Sequence, residues 1–170
     1  MSPHLNPTRG RSSAVGAAGA LLCLSALCGP AAALGQDTDQ KLSASELAAL
    51  VAKPADGRAS VNFWKGAGYI VQASLRLKQG EVEIHAITSD LFIVQEGTAD
   101  VTLGGAVEGG RDTAPNERRG GAISGGHVRS LAVGDVLWIP AGEPHQVTPR
   151  GGAFRYLVVK MDARSAPNAQ

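Results

Sequence analysis

The sequence predicts an all-β domain, a barrel or sandwich of short strands, introduced by one short helix. Three observations carry that prediction. Tyr69, Val71, Ala73, Leu75 and Leu77 alternate with Ile70, Gln72, Ser74, Arg76 and Lys78, the period of two that a strand requires. Further short apolar runs follow at close intervals, each closed by a turn signal. The 22 glycines of the chain fit that density of turns.

Residues 1–35 stand apart from this pattern. Arg9 and Arg11 precede an apolar run from Ala14 to Cys28, and small residues lead from Gly29 to Ala33-Leu34-Gly35. That is the layout of a secretory signal peptide, with cleavage after Ala33 or Gly35. The run is too short and too rich in Gly and Ala for a comfortable membrane span. The expected destination is the periplasm or the exterior. Cleavage removes Cys23 and Cys28, so the folded part is expected to use neither disulfide nor thiolate chemistry. It also removes Arg9 and Arg11, leaving 14 of the 16 basic residues against 15 acidic ones. That balance argues against a nucleic-acid partner or an anionic membrane surface.

Residues 36–59 read as a leader with a short helix over Leu42 to Lys53. Ser43 suits the N-cap and Glu46 stands three residues later, the capping-box spacing. Leu42 and Leu47 occupy the positions of a hydrophobic staple, and Leu47, Leu50 and Val51 form one apolar face. Lys53-Pro54 stops the helix.

Residues 60–162 form the strand-rich domain. After Tyr69 to Lys78, Val82, Ile84 and Ala86 alternate with Glu83 and His85. Leu91 to Gln95 and Ala99 to Leu103 read as two strands, broken at Glu96-Gly97. Leu131 to Val133, Val136 to Ile139, Gln146 to Thr148 and Phe154 to Lys160 complete the set. Gly104 to Arg129 is long, polar and glycine-rich. Such a segment reads either as a lid over the barrel mouth or as a surface excursion without a chemical role. Residues 163–170 read as a frayed tail.

Residues two apart on a strand share a face, so Glu83 and His85 present two metal-competent side chains on one side. Asp90 follows a Thr88-Ser89 turn and can lie beside His85. Gly134 to His145 delivers a second imidazole just past a Pro-x-Gly corner. Two histidines and a carboxylate are the minimum for a metal site with open positions. The same four side chains could instead line a metal-free pocket, with Asp90 orienting His85. His127 reads as a solvated loop residue. Arg118 and Arg119 could meet an anionic substrate, and Trp64 and Trp138 read as core or interface residues.

The spacing His85, four residues, Asp90, six residues, Gly97 resembles the latter part of the first cupin motif, His-x-His, three or four residues, Glu, six residues, Gly. Gly134, five residues, Pro140, x, Gly142, two residues, His145 resembles the second. The resemblance covers Glu81 to Thr148. It implies a double-stranded β-helix barrel whose lumen holds Fe, Mn, Ni or Zn on His85, Asp90, His145 and Glu83. It also implies a small organic ligand, turned over by oxygenase-, isomerase- or lyase-type chemistry or bound without turnover. A homodimer is implied, through an edge strand at Tyr69 to Lys78 or through the helix. The sequence departs from the family at three positions: Glu83 replaces the first metal His, Asp90 replaces Glu, and Pro149 replaces Asn. Glu83 is therefore a fourth ligand, a general base, or a hydrogen-bonding neighbour of the metal.

Overall fold

A computed structural model describes residues 39–165. The expected signal segment, with both cysteines, and the last five residues of the expected tail lie outside the described residues. In chain order the elements are α1 (Ala44–Leu50), β1 (Arg58–Gly66), β2 (Tyr69–Arg76), β3 (Glu83–His85) and β4 (Thr88–Leu103). Then come β5 (Ala106–Glu108), β6 (Arg111–Ala114), β7 (Glu117–Arg119), β8 (Ala122–Ser124), β9 (His127–Leu131), β10 (Val136–Ile139) and β11 (His145–Asp162). A 3-10 turn at Ala163–Ser165 ends the described chain.

The helix starts as its sequence dictates. The Glu46 amide donates to Ser43 Oγ at 3.3 Å, and the Ser43 amide donates to the Glu46 carboxylate at 2.7 Å, closing the capping box. It ends earlier than expected, at the Val51 cap, where φ leaves the helical region. Val51 is fully buried while Leu50 stays exposed, so the apolar face is narrower than Leu47, Leu50 and Val51 together. Val51 packs with Ala73 and Leu75 of β2 in a small cluster that Phe63 and Leu157 flank.

Two long strands replace four expected short ones. β4 runs through Glu96-Gly97 without breaking, and β11 joins Gln146–Thr148 to Phe154–Lys160. The strands bend together. His145 to Arg150 pairs with the far half of β4, and Arg155 to Asp162 pairs with its near half, across a register shift. Gly97 adopts φ +76° at the bend, and a Cβ there would lie 2.0 Å from the Ala153 carbonyl oxygen. Only glycine satisfies both conditions.

One path of pairing runs β1–β2–β11–β3–β7–β6, and β4 joins β11 to β9 and β10. The sheet curls into a barrel closed on a core of Phe92, Val94, Val101, Phe154, Tyr156 and Val158. Burying each such side chain contributes about 1.5–3 kcal/mol. β2 is flanked by β1 and β11, so it is not the edge expected of Tyr69 to Lys78; β1 is. Trp138 is 51 % exposed on β10 and leaves the core. Trp64 is half-buried against Phe63.

The segment from Gly104 to Arg129 is not an irregular loop. It folds as a two-tiered arm: β5 pairs with β8, β6 pairs with β7, and β9 returns to β4. Gly109-Gly110 and Gly120-Gly121 face each other across the arm, all four at positive φ. This double hinge lets the inner tier turn so that β7 pairs with β3 in the main sheet. Strand pairing then satisfies backbone groups that a polar, glycine-rich sequence seemed to leave to solvent.

Candidate metal centre

β3 is three residues long, and its two ends point into the lumen. Glu83 pairs with His145 of β11 on one side and Arg119 of β7 on the other. His85 pairs with Glu117 of β7. Glu83, His85, Asp90 and His145 are all buried. The four residues singled out in the sequence therefore do meet in one lumen. Asp90 lies inside β4 rather than after a Thr88-Ser89 turn; the turn falls at Ala86-Ile87.

Glu83, His85 and His145 each offer one ligand atom within 4.8 Å of the others. Nε2 of His85 lies 3.6 Å from Oε2 of Glu83 and 3.4 Å from Oδ2 of Asp90, and Nε2 of His145 lies 3.9 Å from the same Asp90 oxygen. The opposite ring nitrogens are anchored outside the cluster. His85 Nδ1 is 2.6 Å from Glu117 Oε2, and His145 Nδ1 is 3.1 Å from the Glu143 carbonyl oxygen. A carboxylate and a carbonyl can only accept, so each Nδ1 carries a hydrogen. In the neutral rings both Nε2 lone pairs are left facing the lumen, which is how metal-binding histidines are held. The donor set of two imidazoles and a carboxylate fits a divalent transition ion.

The carboxylates already have cationic partners. Glu83 Oε1 accepts from Arg76 Nη2 at 2.8 Å and lies 2.7 Å from Arg119 Nη1. Burial works against the Glu83 anion, but Arg119 and Arg76 outweigh it and hold its pKa down to about 2. Lys160 Nζ lies 2.9 Å from both Asp90 oxygens and 3.1 Å from His85 Nε2. Asp90 is lowered, against burial, by the neighbouring His85 and by the Lys160 charge.

The two imidazoles respond differently. Burial lowers the pKa of His145, and the charges of Asp90 and Glu83 only partly offset it. Burial also opposes charge on His85, but Asp90, which a protonated ring would meet with an Nε2 hydrogen, and the Glu117 charge raise its pKa. Lys160 opposes them. An ammonium has only donors to offer, so at 3.1 Å it holds the neutral ring with its proton on Nδ1.

Glu83, Asp90 and His145 open onto a cavity of about 320 Å³, which Arg76, Arg119, Tyr156 and Lys160 also line. Tyr156 is fully buried, its hydroxyl accepts from Arg76 Nε at 3.2 Å, and burial raises its pKa. Such a chamber is at the small end of ligand pockets, roughly 300–1,000 Å³.

Sequence reasoning missed Arg76, Lys160 and Glu117. Arg76 and Lys160 were legible in principle, since each continues the lumen-facing phase of its strand: Ser74 and Arg76, then Tyr156, Val158 and Lys160. Glu117 left no signal, because the glycine hinges of the arm bring it in. Arg119 enters the lumen, whereas Arg118 pairs with Asp112 outside it. His127 is exposed on β9 and takes no part.

No family model matches the sequence, and no curated protein matches it. Solved structures do match. An uncharacterized conserved protein with a double-stranded β-helix domain from Klebsiella pneumoniae superposes with a TM-score of 0.54 at 16% identity, covering 76% of this chain and 95% of that one. TT1209 from Thermus thermophilus gives 0.52 at 18% identity, covering 73% and 98%. Peruvianin-I, a cysteine peptidase from Thevetia peruviana latex, gives 0.52 at 17% identity, covering 78% and 77%. Identities this low speak for the fold alone. With the curled sheet, the two long bent strands and the lumen cluster, they establish that this chain has the cupin fold, a double-stranded β-helix.

Proposed function

We propose that this protein binds a divalent transition metal, Fe, Mn, Ni or Zn, on His85, His145 and Glu83, with Asp90 beside them, and acts on a small organic molecule in the adjoining cavity. The observation that carries this reading is the anchoring of both Nδ1 atoms away from the cluster, by Glu117 and by the Glu143 carbonyl. A lone pair on each Nε2, turned toward a buried carboxylate, is costly unless a cation or donor meets it. A metal bound there would polarise a substrate oxygen or activate O2. Glu83, with its pKa held at about 2, suits a ligand better than a general base at neutral pH.

One observation favours a second reading, a cupin that binds a small molecule without metal or turnover. Arg76, Arg119 and Lys160 already neutralise Glu83 and Asp90. The deciding experiment is elemental analysis of protein prepared without chelator or affinity-column metal, followed by titration. One equivalent per chain supports the first reading. Less than about a tenth of an equivalent, with no uptake, supports the second.

Export to the periplasm or the exterior belongs to the proposal, supported by the arrangement of residues 1–35. N-terminal sequencing of exported protein should begin at Leu34 or Gln36. A homodimer with no nucleic-acid partner belongs to it as well, and equilibrium sedimentation measures the assembly.

A further inference from the structure

The Lys160 ammonium reaches one of the proposed metal ligands, His85. Lys160 lies opposite Asp90 in the β4–β11 ladder and shares a strand face with Tyr156 and Val158. Its ammonium has three hydrogens, and the lumen offers it three acceptors: Asp90 Oδ1, Asp90 Oδ2 and His85 Nε2, at 2.9, 2.9 and 3.1 Å. One of the three is a proposed metal ligand. The His85 Nε2 lone pair cannot serve the ammonium and a metal together. Lys160 can move without disturbing the barrel, because it is 21 % exposed and borders the cavity. Its four-carbon stem allows the ammonium to swing toward that space.

We propose that the Lys160 ammonium is a tethered cation that occupies the metal position in the metal-free protein, and that a divalent ion loads only by displacing it from His85 toward the cavity. This rests on the metal-binding reading above. Two properties follow. The barrel stays neutralised and folded without metal, because the internal cation meets Asp90 and His85. The site also discriminates: an ion must bind imidazole well enough to win His85 from an ammonium held at three points. Zinc and its borderline-soft neighbours do so far better than magnesium or calcium, which prefer oxygen ligands.

The test compares wild type with Lys160→Met and Lys160→Gln, checking each fold by circular dichroism and titrating Zn²⁺ against a chromophoric chelator at fixed pH. Both variants should bind zinc about tenfold or more tightly than wild type, since the lost competitor made charge-assisted hydrogen bonds. Without metal both should melt below wild type, and zinc should restore the difference. Equal or weaker zinc binding by folded variants, beside a wild type that binds, overturns the competition and leaves the metal reading standing. No uptake by any of the three overturns both. Wild-type protein supplies an independent measurement should the variants not fold. Reductive methylation of Lys160, followed by mass spectrometry, should speed up severalfold when zinc is added. A rate indifferent to zinc, in protein that has taken up zinc, overturns displacement.

Discussion

Nδ1 of His85 and Oε2 of Glu117 lie 2.6 Å apart although 32 residues separate them in the chain. The contact forms because the arm from β5 to β8 folds back at its glycine hinges and sets β7 beside β3. A carboxylate on Nδ1 fixes the ring's tautomer and orientation and raises the basicity of Nε2.

Replacing Glu117 with Ala should weaken metal binding by roughly 10- to 100-fold. Glu117 is partly exposed, so the fold should change little. Competitive titration measures the affinity, and a Kd equal to that of wild type would show that the contact does not tune the site.

His145→Ala removes one of the two lumen-facing Nε2 atoms. Bound metal should disappear from elemental analysis while the strand signature in circular dichroism persists. Full occupancy in this variant would mean that the metal lies elsewhere. His127→Ala, on exposed β9, should leave metal content unchanged and serves as the control.

Glu83 should govern acid stability. Its pKa is about 2 in the folded chain against 4.5 for the free group, so the folded state binds this proton less readily. The stabilisation is fully present above about pH 4.5 and is lost as pH falls toward 2. Its size is on the order of 3 kcal/mol. Glu83→Gln should therefore cost about 3 kcal/mol at pH 7 in metal-free protein, because the buried Arg76 and the partly exposed Arg119 lose their anion. The gap between variant and wild type should close near pH 2. Urea unfolding across that range measures it, and a gap independent of pH would locate the stabilisation in packing instead.

Gly97→Ala should destabilise the barrel by about 3 kcal/mol or more, from the left-handed backbone strain and the clash with Ala153. Gly134→Ala meets no atom within 4 Å, so it should cost only the backbone strain. A Tm for Gly97→Ala equal to that of Gly134→Ala would remove the close approach at the bend as a cause.

Local signals reported local structure faithfully. The capping box of Ser43 and Glu46 starts α1, and the alternation from Tyr69 sets β2. Glu83 and His85 share a face because β3 is a strand. Glycine was the misleading signal. Gly97 looked like a break and proved to be a bend inside β4, and the expected gap between Thr148 and Phe154 proved to be a bend inside β11, because a partner strand alongside holds the chain through the corner. Likewise the arm looked like a loop, since a glycine pair reads as disorder until the facing pair is known.

By itself, the sequence determined the main strands outside the arm, the face that Glu83 and His85 share, and the spacing that delivers His145 just past the Pro140–Gly142 corner. Those features depend on residues close together in the chain and on the two-residue period of a strand. Only the tertiary structure decided what meets those side chains. Arg76 and Arg119 converge on Glu83, Lys160 crosses to Asp90, and Glu117 reaches His85. Buried charge forces each carboxylate to find a cation, but which cation arrives is set by strand order and register, and these exist only once the sheet has closed.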